Sequence, residues 1–430
     1  MKNLLNHPSD QIVEFMSRIY SHAMTTTSGG NLSILDDNGD MWISPGSVDK
    51  GTLTRDDIVC VKADGTIIGK HKPSSEFPFH RDIYKKRPDV KAIVHAHPPA
   101  LVAFSIAAKI PDTKVLANIY DICGEVGYAD YACPGSDELG AKVSAAFAAG
   151  HNTILLENHG TCNAGRTLME AFQRFETLDY CARTIGNATV IGTPKFLTQE
   201  QGAEALKDRN TAFTACDRLT HTTEEIECRI GIIKLVHRSY KQQLFTSTQG
   251  VYAARLDADR FLITPGGADP ATLTVDDLVL VNGTNYESGK TLSPDAWFCR
   301  MLFDAQPEIN SIMIAQPASI MAYAVAGIQF DARTIPESYI LLRDMPLFDF
   351  GYRFDNTADL CKTINLRNPV VSVQNDCVIT TGRSLLESFD RLEVADFSAR
   401  AVLQSVPVGK VQPINARQVA ELIQAFKLID

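Results

Sequence analysis

No stretch of this sequence approaches the roughly 18 uninterrupted apolar residues that a membrane-spanning helix requires. Its opening, Met1-Lys-Asn-Leu-Leu-Asn-His-Pro8, lacks the long apolar run of a secretory signal. A long run of Lys or Arg is missing too, and the formal net charge is −10. Nucleic acid is therefore not an expected partner, because binding it takes a clustered basic face. A small anionic ligand stays open, since a pocket can be locally positive on an acidic protein. The ten cysteines form no C-x-x-C pair. A chain this long needs no disulfide staples, so they read as reduced, mostly buried small hydrophobes. These absences together point to a cytoplasmic protein.

What is present is an ordinary globular composition: 45% hydrophobic and 21% charged residues exclude a disordered chain. At 430 residues the chain exceeds one core, so two domains are expected. Laid against itself, the sequence repeats. Ile43-Ser-Pro-Gly46 returns as Ile263-Thr-Pro-Gly266, an offset of 220 (263 − 43). Thr52-Leu-Thr-Arg-Asp-Asp-Ile-Val59 faces Thr272-Leu-Thr-Val-Asp-Asp-Leu-Val279. The segment from Arg87 to Pro98 aligns with that from Gln306 to Pro317 at offset 219 (317 − 98), and Glu157-Asn-His-Gly160 with Gln374-Asn-Asp-Cys377 at 217 (374 − 157). A slowly drifting offset is what a duplicated domain with small loop changes produces. The polar stretch from Thr193 to His221, with Pro194 and Gly202, separates the copies. The expected domains are 1–219 and 220–430.

Within each copy the pattern mixes helices and strands. Asp10 to Met24 places Ile12, Val13, Phe15, Met16, Ile19 and Tyr20 at helical spacing. Leu32 to Leu35 and Met41 to Ser44 read as strands around the turn Asp36-Asp-Asn-Gly39. Pro73 to Lys86 reads as a helix and Val90 to His97 as a buried strand. Ser136 reads as the N-cap of a helix through Ala149, and Ile154 to Glu157 as a strand before the Asn158-His-Gly160 turn. Leu168 to Ile185 reads as a long helix. The lack of regular β-α-β alternation predicts an α+β or α/β/α layered domain.

His95 and His97 sit two apart at a strand end, so their imidazoles point to one side. Asn158-His159-Gly160 offers a third imidazole at a strand-to-loop junction. Three His ligands with an open fourth position are what a catalytic zinc requires. Taken alone, H-x-H is more often an ordinary polar pair, but the repeat decides against that. The second copy carries Ile314, Gln316 and Asp376 at these places, so all three imidazoles vanish together while the framework persists. Glu76 is placed to act as general acid or base beside a metal, or merely as a helix-start carboxylate. The second copy has Asp295 there. Gly30, Asn31, Gly46, Ser47, Ser74 and Ser75 lie in turns or at a helix start. Each alone is plain turn chemistry, but together they form an anion cradle that suits a phosphate. Asn31 becomes Val251 and Ser75 becomes Pro294 in the second copy. His80 reads as a packing residue.

These residues resemble the class II aldolase and adducin head-domain family. The matching signatures are Ser28-Gly-Gly-Asn-Leu-Ser33, Ile43-Ser-Pro-Gly46, Lys72-Pro-Ser-Ser-Glu76, Val94-His-Ala-His-Pro98 and Glu157-Asn-His-Gly160. They occur in the family's order across the first half, and the second half resembles the family in framework only. The resemblance implies two tandem α/β domains of α/β/α layering. It also implies a divalent metal, most simply Zn2+ with Mn2+ or Co2+ as alternatives, on His95, His97 and His159. Glu76 would be the catalytic carboxylate, and Gly30, Asn31, Gly46, Ser47, Ser74 and Ser75 the phosphate pocket. Tyr120 falls near the family's aldolase tyrosine, a proton donor to the departing aldehyde. The substrate class implied is a small phosphorylated sugar or keto acid, and the activity an aldolase. Decarboxylase, epimerase and a non-catalytic adducin-like scaffold are the alternatives. Single-domain members form four-fold rings, so a fused pair is expected to build the same ring as a homodimer.

Overall fold

The computed structural model describes residues 7–217 and 221–428. The cut expected at Thr220 lies outside the described residues. Two compact units are present, Met1–Thr113 with Asn118–Arg183, and Lys114–Ala117 with Thr184–Asp430.

The first repeat runs α1 (Pro8–Ser21), β1 (Asn31–Leu35), β2 (Met41–Ile43), β3 (Val59–Val61), β4 (Ile67–Ile68), α2 (Phe77–Lys86), β5 (Ala92–Ala96), α3 (Pro99–Ile106), α4 (Ala117–Cys123), β6 (Gly127–Ala129), α5 (Asp137–Ala148), β7 (Thr153–Leu156), β8 (Gly160–Gly165) and α6 (Leu168–Ile191). Its strands form one sheet in the order β4-β3-β2-β1-β5-β8-β7-β6, antiparallel except for β6 with β7.

The period of two along β5 decides the layering. Ile93 joins Ile43, Phe79, Ile83, Leu139 and Phe147 on the face covered by α2 and α5. Ala92, Val94 and Ala96 join Ile12, Phe15, Phe172 and Phe175 on the face covered by α1 and α6. With β5 buried from both sides, each large apolar side chain contributes about 1.5–3 kcal/mol. This is the expected α/β/α domain. One helix starts later than the sequence pattern suggested: residues 73–76 are not helical and α2 begins at Phe77. Pro73 bridges Pro45 instead, and the Gly46 amide donates to the Lys72 carbonyl. Glu76 thereby becomes the N-cap of α2.

The second unit continues with α7 (Gln199–Ala205), β9 (Thr214–Cys216), α8 (Thr223–Lys241), β10 (Val251–Arg255), β11 (Arg260–Ile263), β12 (Val279–Asn282), β13 (Asn285–Glu287), α9 (Ala296–Ala305), β14 (Ser311–Ala315), α10 (Ala318–Ala326), α11 (Pro336–Leu342), β15 (Leu347–Phe348), α12 (Tyr352–Asp355), α13 (Thr357–Thr363), β16 (Val370–Val373), β17 (Cys377–Gly382), α14 (Leu385–Ser405) and α15 (Ala416–Phe426). Its sheet order, β15-β16-β17-β14-β10-β11-β12-β13-β9, repeats the first with β9 added at one edge.

The duplication extends to register. Asn31 faces His95 as Val251 faces Ile314, and Ser33 faces Ile43 as Ala253 faces Ile263. The Thr54 hydroxyl donates to Asp57 at 2.6 Å, and that of Thr274 to Asp277 at the same distance. Asn158 and Asn375 both hold a left-handed turn, at φ of 51° and 50°. Asn tolerates that conformation better than most residues, so backbone demand explains why it persists while its neighbour changes from His159 to Asp376.

Candidate metal centre and its neighbours

His95 is the penultimate residue of β5, His97 lies just past its end, and His159 stands in the turn between β7 and β8. Their ring centroids are mutually 4.9 Å apart, and one ligand atom from each lies within 4.8 Å of the others. Among the described residues this is the one cluster of three or more His, Cys, Asp or Glu side chains placed to hold a metal ion. The His95 Nδ1–H donates to the Thr161 carbonyl at 2.9 Å, which turns its Nε2 inward to within 3.1 Å of the His97 Nε2. Fixing a ligand imidazole through its other nitrogen is the usual way proteins orient it. Two glycines make room for the cluster. A Cβ on Gly160 would meet the Ala96 carbonyl oxygen at 2.5 Å and the His97 ring at 2.6 Å; one on Gly30 would meet the His95 carbonyl oxygen at 2.8 Å.

Glu76 reaches into the same space. Its Oε2 lies 3.1 Å from His95 Nε2 and its Oε1 3.4 Å from His159 Nε2. Oε1 is buried and takes no hydrogen bond among the described residues. Burial alone would raise the Glu76 pKa, but its interactions with His95 above all, and with His159 and Asn31, outweigh it and hold the carboxyl well below the usual range. Burial and the neighbouring imidazoles push His97 down to about 3 and His159 to about 4. Both therefore stay neutral, with lone pairs free for a cation. Burial opposes the charge on His95 as well, yet the Glu76 carboxylate prevails and raises its pKa. Three convergent imidazoles and an anionic oxygen that takes no hydrogen bond among the described residues fit a divalent cation.

Behind Glu76 runs a buried relay that the sequence did not disclose. A carboxylate only accepts, so the Asn31 amide turns its Nδ2 to Glu76 Oε2 at 2.7 Å and its Oδ1 to His80 Nε2 at 2.5 Å. His80 must then donate from Nε2 and accept at Nδ1 from the Ser33 hydroxyl at 2.7 Å. Ser33 in turn accepts from Tyr84 at 2.6 Å. Burial pushes His80 down to about 3, so it is neutral, as this chain of donors requires. His80 is buried, as a packing residue would be, and it also orients Asn31. The spacing Glu76 to His80, one helical turn, was the only signal in the sequence.

The residues expected in a phosphate pocket come together beside Glu76. A Cβ on Gly46 would lie 3.5 Å from Ser74 Cα and 3.8 Å from the Ser75 amide. Among the described residues the amides of Ser47 and Ser75 donate to no protein acceptor. Ser47 holds φ at 57°, where the second copy has Gly267 at 67°. That conformation costs a serine about 1–2 kcal/mol relative to glycine. Asn31 spends one amide N–H on Glu76 and keeps another. Tyr120 stands on α4, 37% exposed, outside the histidine–carboxylate cluster.

In the second unit a guanidinium pairs the residues at the corresponding positions. Arg353, on α12, donates to both oxygens of Asp376 at 2.7 and 2.9 Å and to Asp295. Asp376 and Asp295 stand where His159 and Glu76 stand in the first unit. Gln316, the counterpart of His97, donates to the Asp376 carbonyl. This buried cation pairs the carboxylates, and among the described residues the second unit holds no cluster placed to bind a metal ion. Removing one member of such a group strands the others, so Arg353→Met is expected to cost about 3–5 kcal/mol. Denaturant unfolding should register the loss; a change below about 1 kcal/mol would contradict this account of the site.

Residues 10–185 and 231–403 both match the family model described as the Class II Aldolase and Adducin N-terminal domain. The chain is similar to the 5-deoxy-D-ribulose 1-phosphate aldolase of Bacillus thuringiensis, 32% identical over 203 residues that make up 46% of this chain and 93% of that protein. It is 32% identical to the L-fuculose phosphate aldolase of Methanococcus maripaludis over 40% of this chain and 93% of that protein. Similarity to the 3-oxo-tetronate 4-phosphate decarboxylase of Pectobacterium atrosepticum reaches 31% over 45% of this chain and 90% of that protein. Each relative has about the length of one repeat.

Proposed function

The chain belongs to the class II aldolase and adducin family as an aldolase-type lyase, and we propose that its first repeat is a divalent-metal-dependent aldolase acting on a small phosphorylated ketose. One observation carries the reading: His95, His97, His159 and Glu76 converge in the first repeat, and the second repeat holds none of these four. The retained ligand set also speaks against a purely scaffolding role.

His95, His97 and His159 would hold the cation; Zn2+ suits three imidazoles with an open position, and Mn2+ or Co2+ are the alternatives. When bound, such an ion polarises the oxygens of a hydroxy-ketone and stabilises the charge that develops as a carbon–carbon bond breaks. Glu76 moves the proton at the carbon next to the substrate carbonyl, supplying it in cleavage and removing it in synthesis. Asn31, fixed by His80, Ser33 and Tyr84, keeps that carboxylate aimed and ionised. The Ser47 and Ser75 amides, with the hydroxyls of Ser47, Ser74 and Ser75, the second Asn31 N–H and the close approach at Gly30 and Gly46, receive the phosphate. Tyr120 as proton donor to the leaving aldehyde rests on the family resemblance alone.

The test is a screen of metal-loaded protein against phosphorylated ketoses and keto acids, following aldehyde release and carbon dioxide separately. Aldehyde from a ketose phosphate is the expected result. Carbon dioxide from an oxidised sugar phosphate would favour the decarboxylase, in line with the Pectobacterium relative, and no turnover of either class would defeat the proposal.

The second repeat, with its site closed by Arg353, is proposed to serve assembly. Two chains then complete a closed ring of four domains under two-fold symmetry. Light scattering on the full chain should give twice the chain mass; a monomer at working concentration would refute the ring.

A further inference from the structure

Lys50 is one of the most completely buried large side chains of the protein, 2% exposed. Its ammonium donates to the Pro45 carbonyl at 2.5 Å, and among the described residues no carboxylate lies within ion-pair distance of it. Its backbone N–H donates to the Thr27 carbonyl at 2.9 Å. One residue thus ties together the two loops that present Asn31 on one side and Gly46 and Ser47 on the other. A buried cation without a counter-charge is costly. Burial accordingly lowers the Lys50 pKa to about 8, with the Asp49 carboxylate opposing in part.

A purely structural role does not account for it, because the second repeat builds the same turn without it. Pro265-Gly266 repeats Pro45-Gly46, and the Gly266 amide donates to Thr291 at 3.1 Å as that of Gly46 donates to Lys72 at 3.2 Å. Asp269 accepts from the Ala271 amide as Asp49 accepts from that of Gly51. At the position of Lys50 stands Pro270. The turn survives and the charge is lost, together with the Asn31, His95, His97 and His159 equivalents.

We propose that Lys50 is the buried cation of the phosphate pocket: its ammonium, held behind the Pro45-Gly46-Ser47 turn, lacks a counter-ion within the protein, and a bound phosphate supplies one. The Ser47 and Ser75 amides and the serine hydroxyls are neutral donors, so Lys50 is the group that favours a dianion over a neutral hydroxymethyl end. It acts through the field it places on the pocket and through the position of the turn, not by touching the reacting carbons. The inference rests on the phosphorylated-substrate reading above.

The test uses full-length, metal-loaded protein with inorganic phosphate as competitive inhibitor and a ketose phosphate as substrate. Lys50→Gln keeps a donor for the Pro45 carbonyl but drops the charge; Lys50→Met, of similar length, guards against a folding defect peculiar to the first variant. In whichever variant retains its metal and circular dichroism, the inhibition constant for phosphate and the KM for the ketose phosphate should both rise about 10- to 30-fold, with the loss in KM rather than kcat. Wild-type affinity for phosphate in the folded, metal-replete variants would overturn the role of Lys50 alone. If the wild-type protein neither binds inorganic phosphate nor prefers a phosphorylated ketose, the substrate reading and this inference fall together.

Discussion

Purified His97→Ala protein is expected to come through circular dichroism unchanged, to carry almost no metal, and to have no measurable lyase activity. His97 lies just past the end of β5, so its loss leaves no cavity in either face of the core. Its Nε2 is 3.1 Å from that of His95, so its removal takes away one of three convergent donors. Disturbing even the outer support of a metal ligand typically costs 10–100-fold in affinity, and losing a ligand is expected to cost more than about 100-fold. Metal content by plasma emission spectrometry, beside a thermal melt, decides it. Full occupancy in the variant, or two equivalents of metal per wild-type chain, would mean that these three histidines are not the ligand set.

Glu76→Gln is expected to separate binding from proton transfer. The amide is nearly isosteric and still accepts from Asn31 at the Oε2 position, so the relay through His80, Ser33 and Tyr84 stays in place. What it lacks is a site that takes and returns a proton. Turnover should fall by about 10²–10⁴-fold, the usual share of a general acid–base group, with metal and substrate binding retained. Exchange of the substrate's α-proton with solvent deuterium, followed by NMR, isolates the step. Exchange at the wild-type rate in the variant would remove Glu76 from the mechanism.

The three imidazoles were legible in the sequence for a local reason. His95 lies in β5 and His97 just past its end, and residues two apart along an extended chain point to one side, so the two imidazoles share a direction. His159 followed from a turn whose Asn158 backbone requirement both repeats preserve. The layered domain was legible because Ile12, Phe15, Met16 and Ile19 repeat at helical spacing and Ala92 to Ala96 form a short buried run. The start of α2 is not written locally, since the bridge between Pro45 and Pro73 holds residues 73–76 out of the helix that their spacing predicts. That bridge joins positions far apart in the chain.

By itself, then, the sequence determined the duplication, the α/β/α layering, the convergence of three histidines and their loss from the second repeat. All of these are written in short-range periodicity, turn chemistry and the comparison of one half with the other. Only the tertiary structure decided how the polar side chains pair: Asn31 with Glu76 and His80, 45 and 49 residues away, and Arg353 with Asp295 and Asp376, 58 and 23 away. It likewise decided that Lys50 sits behind the Pro45 carbonyl, shut off from water. Such pairings are set by which side chains packing forces out of solvent, because a buried polar group must find a partner wherever the fold supplies one. No local pattern encodes that choice.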